Sequence, residues 1–75
     1  TRVLVLEMHR LISIDTTGLD ALEQLHRSLQ RQGIRLVLCD LNEQPRSLME
    51  RSGFADHLGR HNLVSDLHAA VAAAT

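Results

Sequence analysis

Ile14-Asp15-Thr16-Thr17-Gly18-Leu19 separates two kinds of hydrophobic pattern, and the fold follows from what lies on either side. Before it, from Val3 to Met8, the run Val3-Leu4-Val5-Leu6 is apolar without alternation. Unbroken apolarity suits a strand covered on both faces, as in a parallel sheet. After it, Leu19, Leu22, Leu25, His26 and Leu29 recur at three- and four-residue spacing, which predicts an amphipathic helix from about Gly18 to Gln32. Glu23 and Arg27 form an i,i+4 pair on the opposite face, and Gly33 sits where a C′ glycine belongs. A second apolar run, Ile34-Arg35-Leu36-Val37-Leu38-Cys39, follows at once. Strand, helix, strand is a βαβ unit, so the two strands are expected to run parallel, paired or one strand apart.

The second half is more broken. Asn42 is placed to cap a helix whose early turn accepts Pro45, which runs to about Arg51 or Ser52 and stops at Gly53, with Leu48 and Met49 facing inward. Phe54, Leu58, Leu63 and Val64 mark an irregular segment ending in a two- or three-residue edge strand at Asn62 to Val64. Ser65 and Asp66 open a last helix through Ala74, with Leu67, Ala70, Val71 and Ala74 inward. So small a sheet leaves edges uncovered, and more sheet, or a partner that supplies it, is expected. The chain also enters its first strand almost at once, with no leader, which suggests a piece of something longer.

Bulk properties narrow the function. The 75 residues make one domain or part of one, of a size at which stability is marginal. The lone cysteine, Cys39, excludes an internal disulfide or a multi-cysteine zinc site, and fits a reducing compartment. Phe54 is the only aromatic residue, so the core must be aliphatic. Eight basic residues against nine acidic ones, with no basic run and no stacking platforms, leave no footprint for nucleic acid. No apolar stretch reaches the roughly 18 residues a membrane span needs.

The chemistry-bearing residues converge on the opening turn. Asp15, Thr16, Thr17 and Gly18 stand at a helix N-terminus, where first-turn amides lack partners and the dipole favours negative charge. Asp15 or a threonine can cap the helix, contributing about 1 kcal/mol, with Gly18 easing the turn. The same turn can hold an anion, or offer a hydroxyl for phosphorylation. A phosphate would bring roughly 1.5 to 2 negative charges, favoured by the dipole and opposed by Asp15. Elsewhere, His57 and His61 have metal-ligand spacing beside Asp56, but Gly53 and Gly59 break the helix and no third ligand is evident. His26, on the edge of the apolar stripe, reads as a packing residue, and Cys39 as a buried thiol. His9 and His68 lack a site partner in the sequence. No nucleophile elbow and no phosphate loop occurs. Nothing asks for a metal, a cofactor or an enzymatic activity.

The same residues carry a family resemblance. Ile14-Asp15-Thr16-Thr17-Gly18-Leu19 followed by Ala21-Leu22 resembles the hallmark turn and helix of STAS domains, found in SulP sulfate permeases and in anti-sigma factor antagonists. Gly33 with the strand 34–39, the run from Pro45 to Phe54 with its serine-glycine-apolar ending, and Asn62 to Ala70 extend the resemblance over nearly the whole chain. It implies an α/β layered fold, a mainly parallel sheet with helices, of which residues 1–75 are the C-terminal two-thirds, the N-terminal strands and a helix being absent. The helix around Leu25 to Gly33 and the alanine-rich end are more similar to the transporter branch. That branch implies a non-catalytic regulatory domain on the cytoplasmic face of the bacterial inner membrane. Its partners would be the membrane-spanning transporter domain of the same polypeptide and a cytoplasmic protein at the Asp15–Gly18 turn. A homodimer or strand exchange would cover the incomplete sheet. The alternative it implies is a free-standing anti-sigma factor antagonist switched by phosphorylation at Thr16.

Overall fold

Three parallel strands form one sheet in the order β1-β2-β3, with helices packed against it, in a computed structural model that describes residues 2–65. Strand β1 is Arg2–Glu7, helix α1 Thr16–Arg31, strand β2 Ile34–Cys39 and helix α2 Glu43–Ser52. A short helix α3, Phe54–Leu58, and a 3-10 turn, Arg60–Asn62, lead into β3, Leu63–Val64. The βαβ reading holds in its directly paired form: β1 lies beside β2 in parallel, with Leu4 opposite Leu36 and Leu6 opposite Leu38. The strand expected from Val3 to Met8 ends at Glu7, although the Met8 amide still donates to the Cys39 carbonyl at 2.9 Å.

Strand β2 explains why its sequence shows no alternation. Leu36 and Leu38 point to the face packed by Leu19 and Leu29 of α1, Met49 of α2 and Phe54, Ala55 and Leu58 around α3. Val37 and Cys39 point the other way, with Val3, Val5 and Val64 around them. All four of these β2 residues are buried, so each face of the strand needs an apolar side chain.

Two expectations for the second half change. The segment after Gly53 is not irregular. Gly53 adopts φ +87°, which ends α2 and lets α3 start on the next residue with Phe54 buried beneath it. The edge strand has two residues, within the expected length, and is parallel, pairing Leu38 with Leu63 and Cys39 with Val64. Asn42 takes the N-cap position of α2 with extended backbone, but its side chain makes no cap bond and is turned to another use. Pro45 is fully buried in the first turn, where its missing N–H costs no intrahelical bond. Met49 is buried and Leu48 half-buried, as the spacing requires. The predicted helix from Ser65 through Ala74 lies, beyond its first residue, outside the described residues.

Asn62 is the polar pin of this half. It is buried, accepts from the Arg35 Nε at 2.6 Å and donates to the Leu58 carbonyl at 2.7 Å, joining β2 to the end of α3. Arg60 adds an exposed ion pair to Asp56 at 2.9 Å and reaches Glu50 of α2 at 3.6 Å.

Candidate interaction site at the start of α1

Helix α1 starts two residues earlier than its leucine spacing suggests. Asp15 is the N-cap, with extended backbone, and its Oδ1 accepts from the Gly18 amide at 2.9 Å. The Leu19 amide donates to the Asp15 carbonyl, also at 2.9 Å. Of the candidate capping groups, the aspartate does the capping. Thr16 and Thr17 fall in the first helical turn and both are exposed. The carboxylate supplies negative charge of its own at the positive end of the dipole.

Gly18 has a role that its sequence context hides. It needs no positive φ; what matters is space. A Cβ at this position would lie 2.8 Å from Ile14 Cγ1 and 3.5 Å from Asp15 Oδ1. Ile14 and Leu19 occupy the N′ and N4 positions of a hydrophobic staple, and both belong to the cluster on the helical face of the sheet. Glycine at the third helical position lets the chain fold back closely enough for Ile14 to reach that cluster.

The connection that delivers the turn, residues 8–15, is longer than the roughly 2–6 residues usual between strand and helix. It is held rather than loose. The Leu11 amide donates to the Met8 carbonyl at 3.0 Å, closing a tight turn. Asn42 Nδ2 then donates to the His9 carbonyl at 3.0 Å and the Leu11 carbonyl at 2.8 Å. Gln44 Oε1 accepts from the Ile14 amide at 2.8 Å, and Gln44 Nε2 donates to the Ile14 carbonyl at 3.1 Å. Between these anchored points Ile12 projects into solvent, 71% exposed. It overlooks a trough of about 420 Å³ shared with Glu43, Ser47 and Arg51 of α2. A second trough, of about 400 Å³, runs beneath Ser13, Asp15 and Gly18. Both are open, which suits contact with a surface better than capture of a small molecule.

The remaining candidates lie elsewhere. His57 and His61 are exposed on α3 and the 3-10 turn, and among the described residues no three His, Cys, Asp or Glu side chains group as metal ligands. His26 is a packing residue: it is buried and meets the Phe54 ring edge-on, centroids 6.0 Å apart at 86°. Burial, and to a smaller extent the nearby His57, pull its pKa below the ordinary 6.5. His9 lies 3.8 Å from the Glu7 carboxylate, both largely exposed. Cys39 is buried, and His68 falls outside the described residues. Asn42, Gln44 and Ile12 are the site residues that sequence reasoning passes over. The amide contacts cross 30 to 33 residues, and local spacing carries no sign of them.

With this geometry in view, the relatives are informative. The STAS domain family matches residues 1–72. The chain belongs to the STAS domain family. It is 40% identical over 60 residues to Sulfate transporter 1.2 of Arabidopsis thaliana, and 31% identical over 71 residues to Sulfate transporter 1.1 of the same plant. Those alignments cover 80% and 95% of this chain but only 9% and 11% of the transporters. Among solved structures, a sulfate transporter family protein from Wolinella succinogenes superposes with a TM-score of 0.92 at 30% identity, over 97% of this chain and 60% of that one. The parallel sheet with helices is therefore the STAS fold, in a domain related to sulfate transporters. No helix among the described residues is long and apolar enough to cross a membrane.

Proposed function

We propose that this chain is the regulatory, non-catalytic STAS domain of a bacterial SulP-type transporter of sulfate or a related anion. In this reading it acts at the cytoplasmic face of the inner membrane, and residues 1–75 form the C-terminal two-thirds of the domain. The surface that meets the transporter's own membrane-spanning part, or a cytoplasmic protein, is the turn Asp15, Thr16, Thr17 and Gly18. The observation that carries the reading is the turn's construction. Two exposed threonines follow a capping aspartate on a loop held at both ends, within a chain that over 60 residues is 40% identical to part of a sulfate transporter. Phosphorylation of either threonine would place a dianion beside Asp15 and change the sign and strength of the local field without disturbing the buried core. The related transporters favour this over a free-standing anti-sigma factor antagonist switched at Thr16.

The test replaces Thr16 and Thr17 together with alanine in the intact transporter. Regulated anion uptake, or binding of the regulatory partner, is expected to fall several-fold while the level of folded protein holds. Unchanged uptake and unchanged partner binding would remove the turn from the regulatory surface. A mass gain at Thr16 on incubation with an anti-sigma kinase, in a chain with no transporter attached, would favour the antagonist.

A further inference from the structure

We propose that Asn42 and Gln44 are positioning residues for the Asp15–Gly18 turn, so that α2 sets the shape of that surface through two side-chain amides. The inference rests on the regulatory reading of the turn.

Asn42 stands where an N-cap should be, yet spends its carboxamide elsewhere. Both of its bonds to the loop are donor bonds, to the carbonyls of His9 and Leu11. Gln44, in the first turn of α2, uses both ends of its amide on Ile14, accepting from the N–H and donating to the carbonyl. Ile14 directly precedes the capping aspartate, and its side chain lies against Gly18. The Gln44 grip therefore fixes the backbone on which Asp15, Thr16 and Thr17 are carried. A carboxamide carries an uncharged donor and acceptor on adjacent atoms, so it can hold the N–H and the carbonyl of Ile14 at once, which an ionised Glu or an Ala at position 44 could not. The Asn42 pair distinguishes clamp from cap. As a helix cap, aspartate serves as well as asparagine. As a clamp it fails, because it turns carboxylate oxygens toward two carbonyl oxygens.

The consequence is a coupled surface. The loop, the turn and the exposed side of α2 around Ser47 and Arg51 move as one body, with Ile12 held out between them. A contact that shifts α2 shifts the threonines, and a group added to a threonine is felt by α2.

The experiment measures amide hydrogen exchange by mass spectrometry on the full-length protein that carries this chain, comparing wild type with Asn42→Asp and Gln44→Ala. Loss of two ordinary hydrogen bonds should speed exchange in the peptide covering residues 9–18 by about tenfold. The peptide covering β2 should be unchanged, which shows that the domain remains folded. No change at 9–18 in Asn42→Asp would show that Asn42 is only a cap and overturn the proposal. So would faster exchange in β2 of equal size. Uptake supplies the second readout. If Gln44 works through the turn, Gln44→Ala lowers regulated uptake in the wild-type background and has no further effect once Thr16 and Thr17 are alanine. An equal further loss there would mean that Gln44 acts by general destabilisation, against the proposal. If the double threonine variant leaves uptake untouched while residues 9–18 still loosen in both amide variants, the regulatory reading fails and the clamp stands.

Discussion

At the scale of single residues, the start of α1 is tuned by what glycine leaves out. Alanine at position 18 would gain about 1 kcal/mol of helix propensity. It would also press its Cβ to 2.8 Å from Ile14 Cγ1, an atom next to the branched carbon of a side chain with little rotamer freedom. Overpacking of that kind costs about 1–3 kcal/mol, so Gly18→Ala is expected to destabilise the fold by a net of about 1 kcal/mol in denaturant titration. In an Ile14→Ala background the clash is gone, and the same replacement should become neutral or stabilising; an unchanged penalty would rule out the steric account. His26 makes a prediction of a different kind. Its pKa is lowered in the folded state by burial, with His57 adding to the effect. Well above pH 6.5 the ring is neutral in folded and unfolded chains alike and has no effect on the pH dependence. As the pH falls through 6.5 the unfolded chain takes up the proton first, so stability drops. Melting temperature should fall from pH 7 to pH 5 more steeply in the wild type than in His26→Leu, with the difference between the two curves isolating this residue from the exposed histidines.

Among the elements, Asn62 makes a short polar contact that little in the local sequence announces. Asn62 sits in a 3-10 turn and holds Arg35 of β2 and the Leu58 carbonyl at the end of α3. Asn62→Ala leaves a buried carbonyl without this donor and removes an acceptor from a guanidinium, a loss of about 1–3 kcal/mol. Chemical denaturation should show that loss, with α3 and β3 gaining exchange before β1 and β2. The contrast with α1 shows what a single sequence can display. Leu19, Leu22, Leu25 and Leu29 announce a helix because its period is local, and β2 announces a doubly covered strand because both faces are apolar. The length of α1 is harder to read, since Thr16 and Thr17 have no hydrophobic period and join the helix only through the Asp15 cap. Helix α3 is missed because its five residues are too few for a period to appear, and because Gly53 and Gly59, which look like breakers, delimit it. The turn itself is legible from its hydroxyls and carboxylate. The side chains that grip it are not, because Asn42 reads locally as a cap and Gln44 as an ordinary first-turn residue.

At the scale of the molecule, the described residues build an asymmetric sheet. Strand β2 is paired on both sides, while β1 has β2 on one side and no other strand among the described residues. The Met8 amide points at β2, so by alternation the amides of Leu4 and Leu6 do too, and those of Val3, Val5 and Glu7 face the outer edge. The side chains at this edge are not those of a protected rim: Val3 and Val5 are half-buried, Leu4 is 36% exposed, and a row of free amides beside apolar side chains is a template for pairing. The related solved chain is longer, this one spanning 60% of it, which leaves room for a strand to complete the sheet. Placing a further strand on β1 predicts that the Val3, Val5 and Glu7 amides exchange slowly in a longer protein that carries this chain and at least about tenfold faster in the isolated 75 residues, where the Leu4 and Leu6 amides stay protected by β2. It also predicts a position-specific response to proline. Glu7 is exposed, and its N–H is turned away from β2. Glu7→Pro should therefore be tolerated in the isolated chain, where no strand among the described residues pairs on that side, and should cost about 1 kcal/mol or more where a further strand pairs with β1 and a ladder bond is lost. Equal tolerance in both settings, together with fast exchange at Val3 and Val5 in the longer protein, would rule out a further strand on β1.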